Sequence, residues 1–198
     1  MSFKILLATN NPHKLLEIRE ILTPYDIVVY GIDDLNLHPK EVDENGLTYY
    51  ENALIKANSL KDLTDIPIIA DDSGLEVEAM NNKPGIHSAR YAKEHDGHEN
   101  AMKEILKIVK DAHNDKARFV CDIVMVNLEE SPLLFEGITN GTIKEKEGHG
   151  GFGYDPIFVE ESTNISYAKM TSEEKNIYSH RAKAIMKMVS YLKDKRLI

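Results

Sequence analysis

The chain has 198 residues, 33 acidic and 24 basic, for a net charge of −9 with histidine neutral. Apolar residues at 42% and charged residues at 29% are ordinary globular composition, which excludes a disordered chain. No run approaches the roughly 18 apolar residues of a membrane span, and the negative balance disfavours nonspecific binding to nucleic acid. The four apolar residues Ile5, Leu6, Leu7 and Ala8 are too few for a signal peptide. The single cysteine, Cys121, leaves no internal disulfide and suits a reducing, cytoplasmic setting.

The length fits one domain over 1–198, and no repeat or linker marks a boundary. Residues 4–9 read as a strand, ended by Asn10-Asn11-Pro12, with Pro12 suited to a first helical position. Leu15, Ile18 and Leu22 then follow at helical spacing. Residues 26–32 read as a second strand and 33–46 as a polar loop. Thr48 and Glu51 have the spacing of a capping box, opening a helix with an apolar stripe of Leu47, Tyr50, Leu54 and Ala57. Asn52 and Lys56 share its other face. Residues 66–70 and the alternation Leu75/Val77/Ala79 predict two short strands, and Pro84-Gly85 a turn. A helix over 98–110 precedes strands over 119–128 and 133–142 around a Glu-Glu-Ser-Pro turn. A glycine-rich loop over 148–153, a strand over 156–159 and one last helix over 172–193 complete an α/β class with a mixed sheet.

Four segments carry candidate chemistry. Thr9, Asn10, Asn11, Pro12, His13 and Lys14 lie where a strand gives way to a helix, so N–H groups and a lysine face the turn and attract phosphate. Asp71 and Asp72, followed by Ser73 and Gly74, end an apolar run; adjacent carboxylates near phosphates hold Mg²⁺, and neighbours in an extended stretch point to opposite sides. Gly148 to Gly153 place four of the chain's 11 glycines within six positions, letting the backbone approach a ligand. Phe152 and Tyr154 there offer faces for stacking a base. Lys175, His180 and Arg181 put three cations near a helix start, with His180 directed away from the core, a conflict an anionic ligand resolves. Cys121 reads as a packed strand residue, and His95, Asp96, His98 and Glu99 as a surface helix start without zinc spacing.

Taken together, the segments 8–14 (ATNNPHK), 44–57 (ENGLTYYENALIKA), 70–79 (ADDSGLEVEA), 84–92 (PGIHSARYA), 150–158 (GGFGYDPIF) and 173–184 (EEKNIYSHRAKA) resemble the inosine triphosphate pyrophosphatase family, the non-canonical purine nucleoside triphosphate pyrophosphatases of the Ham type. The resemblance implies an elongated, mixed, twisted sheet flanked by helices, in two lobes with a central cleft. It implies a homodimer that uses Mg²⁺ to hydrolyse ITP, dITP and XTP to the monophosphate and pyrophosphate, clearing deaminated purines. It assigns phosphate binding to Thr9, Asn11 and Lys14, catalysis and metal binding to Asp72, and substrate contacts to Ser73, Phe152, Gly153, Tyr154, Asp155, Lys175, His180 and Arg181. The family's metal-binding glutamate, three residues before the position of Gly46, is Asp43 here, with Glu44 beside it; both are metal candidates. Asn10 stands where relatives often have glycine.

Lys14, Lys56 and Lys175 with Mg²⁺ would offset the roughly four charges of a triphosphate. No serine–histidine or cysteine–histidine pattern of similar strength is present, so water attacks directly. Arg181, a donor with no acceptor capacity, is expected to favour a 6-keto purine over adenine. Two other functions fit parts of the pattern: a related hydrolase with another base preference, and a nucleotide sensor without turnover.

Overall fold

The computed structural model describes residues 2–40 and 42–198; one position of the expected loop over 33–46, Glu41, lies outside them. Seven strands and six α-helices are present among the described residues: β1 (Phe3–Leu7), α1 (Pro12–Leu22), β2 (Ile27–Tyr30), α2 (Tyr49–Asn58), β3 (Ile68–Val77), β4 (Lys83–Pro84), α3 (Ser88–Glu94), α4 (His98–Ala112), β5 (Lys116–Val126), β6 (Leu133–Ile143), β7 (Phe158–Glu160), α5 (Ser172–Tyr178) and α6 (His180–Asp194). The strands form one mixed sheet in the order β2-β1-β3-β5-β6-β7, with β4 on β3. β1 runs parallel to β2 and β3, whereas β3–β4 and β6–β7 are antiparallel. This is the α/β class with a mixed sheet and flanking helices expected from the sequence.

The chain divides into two compact units. The first comprises the stretches 1–72, 121–137 and 181–198, the undescribed residues aside. Residues Ile5 to Leu7 of β1 are buried on both faces of the sheet, which is why they read as an unbroken apolar run. Ile5 and Leu7 join Ile69, Cys121 and Ile123 under α1 and α6, through Ile18, Leu22, Ile185, Val189 and Leu192. The intervening Leu6 points the other way and joins Ala70, Val124 and Val126 under Ala53 and Ala57 of α2.

The second unit comprises 73–120 and 138–180. Its core gathers Leu75, Val77, Phe119, Phe158 and Tyr167 with the inward face of α4, Ala101, Met102, Ile105 and Val109. Gly74 is required here by close approach: a Cβ would lie 2.1 Å from the carbonyl oxygen of Gly85.

The structure departs from the sequence reading at three places. The two short strands expected around Asp71-Asp72 are one ten-residue strand, β3, so the acidic pair sits in a strand interior. The last helix is two, interrupted at Ser179, whose φ/ψ of −70°/153° is extended. At α2, Thr48 caps Glu51 N–H, but Glu51 accepts from Leu47 N–H rather than Thr48, and Leu47 is 85% exposed instead of part of the buried stripe.

Candidate active site

The turn between β1 and α1 satisfies itself. Thr9 Oγ1 accepts from Asn11 N–H at 3.1 Å. Asn11 is the N-cap of α1, its Oδ1 accepting from the N–H groups of His13 at 2.9 Å and Lys14 at 3.4 Å. Pro12 has no N–H. The first-turn donors expected to receive phosphate are therefore engaged by Thr9 and Asn11, and the turn's attraction for an anion rests on the Lys14 side chain. Asn10, Pro12 and His13 are exposed.

Lys14 is held from below: its Nζ lies 2.5 Å from Asp71 Oδ1. Asp71 is buried and also accepts from Arg181 Nε at 2.9 Å and from the thiol of Cys121 at 3.5 Å. Arg181 NH1 pairs in turn with Glu17 of α1. Burial alone would raise the Asp71 pKa; Lys14, Arg181 and Lys56 outweigh it and hold the carboxyl far below the usual range. Burial opposes the charge of Arg181 too, but Asp71 and Glu17 raise its pKa above the ordinary guanidinium value. Burial, and then Asp71, push the Cys121 thiol well up, so Cys121 is the packed, unreactive residue the sequence reading expected.

Asp72 points to the opposite side of β3, as alternation requires, and meets α2. Lys56 Nζ lies 2.8 Å from Asp72 Oδ1 and 3.1 Å from Glu44 Oε2. Asn52 Nδ2 approaches Asp72 Oδ2 at 3.5 Å, while Asn52 Oδ1 holds the N–H of Gly46 at 2.8 Å. Asn52 thus ties the acidic loop to Asp72. Burial raises the Asp72 pKa against the pull of Lys56. Burial pulls the Lys56 ammonium down, yet Asp72, Asp71 and Glu44 together raise it. Asp43 is exposed.

In the second unit, Asp155 organises the glycine-rich loop. Its Oδ2 accepts from Phe152 N–H at 2.8 Å and from Lys175 Nζ at 2.6 Å. Gly151 has φ +68°, and a Cβ there would lie 2.1 Å from Asp155 Oδ2, so only glycine lets the loop close on this carboxylate. Lys175 Nζ also stands 4.9 Å from the centre of the half-buried Phe152 ring. Ser73 and Gly153 are half-buried in the same unit.

Three expectations for side-chain placement are corrected. Tyr154 is not a stacking wall: its ring belongs to the core and its hydroxyl donates to Ser88 O at 2.8 Å. His180, expected to face away from the core, is 4% exposed and stacks on Phe119 with centroids 4.6 Å apart. Arg181, expected beside a base, is 2% exposed against Asp71 and Glu17. The helical wheel that placed these two fails because the break at Ser179 ends its premise of one continuous helix.

Sequence reading left Asn52, Glu17 and the hub role of Asp71 unassigned. Asn52 had a signal, its i, i+4 spacing to Lys56 on one face of α2. Glu17 had none, because its partner lies 164 residues away. Among the described residues no group of three or more histidine, cysteine, aspartate or glutamate side chains is arranged to hold a metal by protein ligands alone. No described helix is long and apolar enough to cross a membrane.

Residues 5–191 match the family model described as the Ham1 family. The chain is 41% identical over 191 residues to a protein named dITP/XTP pyrophosphatase from Thermoanaerobacter pseudethanolicus, covering 96% of each chain. It is 38% identical over 196 residues to the Escherichia coli protein of the same name, covering 96% of this chain and 98% of that one. The structure of the Staphylococcus aureus Ham1 protein superimposes with a TM-score of 0.84 at 36% identity, over 97% of this chain and 99% of that one. With matches of this extent in both sequence and fold, the chain belongs to the Ham1 family.

Proposed function

We propose that this protein hydrolyses non-canonical purine nucleoside triphosphates, ITP, dITP and XTP, at the α–β phosphoanhydride bond, releasing the monophosphate and pyrophosphate. Supporting this are relatives named dITP/XTP pyrophosphatase at about 40% identity over nearly the whole chain. The observation that carries it is the Lys56–Asp72–Glu44 constellation beside the Lys14 turn, in which the buried Asp72, an acceptor in a strand interior, is joined through the half-buried Lys56 to the exposed Glu44.

The donor set fits a divalent cation. Glu44 and Asp72 already share one positive group, the Lys56 ammonium. Lys14, Lys56 and Arg181 supply three positive charges against the four carboxylates of Glu17, Glu44, Asp71 and Asp72. This cluster alone is therefore net negative and would repel a triphosphate; one divalent ion reverses its sign. Mg²⁺, a hard ion that keeps several waters and takes one or two carboxylates, would be held by Asp72 and Glu44, with Asp43, next to Glu44 in the sequence, as the alternative second carboxylate, and would neutralise phosphate charge. Asp72 orients and deprotonates the attacking water, and Lys14 and Lys56 receive the departing pyrophosphate. The enzyme acts as a homodimer in the cytoplasm, on free nucleotides.

Ion-exchange separation of the products of ITP, with and without a chelator, tests this reading. IMP and pyrophosphate, formed only with the divalent ion present, are expected; IDP as first product would refute it. A panel of ITP, XTP, dITP, GTP, ATP and dUTP tests the base preference, and light scattering tests the dimer.

A further inference from the structure

Asp122 lies on β5, two residues before Val124 and four before Val126, both of which pack under α2. By alternation its carboxylate faces the same side. Asp72 lies two residues after Ala70, which packs under the same helix, so both acids share this face. The N–H of Tyr50, in the first turn of α2, donates to Asp122. Its other oxygen, Oδ1, is buried and has no hydrogen-bond partner among the described residues, and the residue is only 6% exposed. A buried carboxylate oxygen without a partner is costly. Burial, with Glu136 and Asp72 adding repulsion, pushes the carboxyl up to about 6. Its surroundings therefore lack one positive group or donor, on the face where Asp72 and Glu44 share a cation.

From this geometry we infer that Asp122 is a further acidic member of the cation site, an outer carboxylate whose Oδ1 accepts from water bound to the divalent ion held by Asp72 and Glu44. The inference rests on the reading of those two residues as that ion's site. Mg²⁺ and Mn²⁺ keep water in their coordination shell, and carboxylates that accept from such water tighten metal binding about 10- to 100-fold. Asp122 is a positioning residue here: it touches neither substrate nor metal. By holding Tyr50 N–H it also fixes the first turn of the helix that carries Asn52 and Lys56.

The test is titration of nucleotide-free protein with Mn²⁺ alone, reading free ion by its paramagnetic resonance. Asp122→Asn keeps an oxygen for Tyr50 N–H and removes the charge, so a purely structural role leaves Mn²⁺ affinity unmoved. The expected result is a loss of about 10- to 100-fold in Mn²⁺ affinity for both Asp122→Asn and Asp72→Asn, with the urea midpoint of Asp122→Asn no lower than that of the wild type. Should Asp122→Asn fail to fold, Asp122→Val carries the same expectation. Wild-type affinity in the Asp122 variant beside a lost affinity in Asp72→Asn overturns the inference and leaves the cation site intact. Undiminished affinity in Asp72→Asn, or no binding to wild type at millimolar Mn²⁺, overturns both.

Discussion

Lys14 Nζ sits 2.5 Å from Asp71 Oδ1, so the lysine of the β1–α1 turn is neutralised from within the protein. The same holds for the other two lysines expected at the triphosphate: Lys56 pairs with Asp72, and Lys175 with Asp155. Each ammonium has a buried aspartate that fixes its position. None of these cations is desolvated alone, because each lysine gives up much of its water to an ion pair.

Asp72→Asn removes one negative charge at nearly constant shape. Turnover of ITP is expected to fall by about a hundredfold or more, with a smaller change in KM. Steady-state kinetics check it; a variant keeping a tenth of the wild-type kcat would move catalysis to another group.

Asp71→Asn strands Lys14 and Arg181 without their shared counter-ion. Breaking a buried pair from one side costs about 3–5 kcal/mol, measurable by urea unfolding. The pH dependence has a definite sign. The folded-state pKa of Asp71 is depressed, so its stabilising contribution is present above the unfolded value of 3.8 and is lost as pH falls below that value. Wild-type stability should therefore drop steeply below about pH 4, and Asp71→Asn should flatten that limb.

Arg181→Ala leaves Asp71 with Lys14 alone and Glu17 without its buried partner. A loss of about 3–5 kcal/mol is expected. Because the guanidinium is 2% exposed, kcat/KM for ITP and ATP should fall in parallel. A selective loss on ITP would restore Arg181 to the role of base reader that the sequence pattern gave it.

Cys121 should resist alkylation by iodoacetamide in the native protein at pH 8 and react once urea unfolds it. The thiol is fully buried and its pKa is raised by that burial and by Asp71. Mass spectrometry of the protein with and without urea distinguishes the two states; ready native modification would contradict this packing.

Much of the candidate site was legible because its signals are local. The Asn11-Pro12 helix start, Thr48 as cap and the glycines around Phe152 each act over a few residues. What escaped depends on distant partners. An aspartate pair reads as the end of an apolar run, yet Asp71 sits inside β3 because Lys14, Arg181 and Cys121 reach it from remote parts of the chain. The break at Ser179 escaped because 172–193 keeps helical spacing throughout, and serine is no strong breaker. Asp122 escaped because one acid within an apolar strand looks like a solvent-facing position, whereas α2 covers it.

The position of α6 shapes how the first unit is made. Ile185, Met188, Val189 and Leu192 of this helix pack in one cluster with Ile5 and Leu7 of β1, a strand synthesised long before α6. The part of that face that α1 leaves uncovered stays open until α6, encoded far downstream, has been made. Contacts of such long sequence separation fold slowly, so the nascent chain presents an apolar surface suited to a holding chaperone. Shortening α6 should thus act first on yield in the cell, through aggregation of half-covered chains, before any effect on turnover per folded molecule.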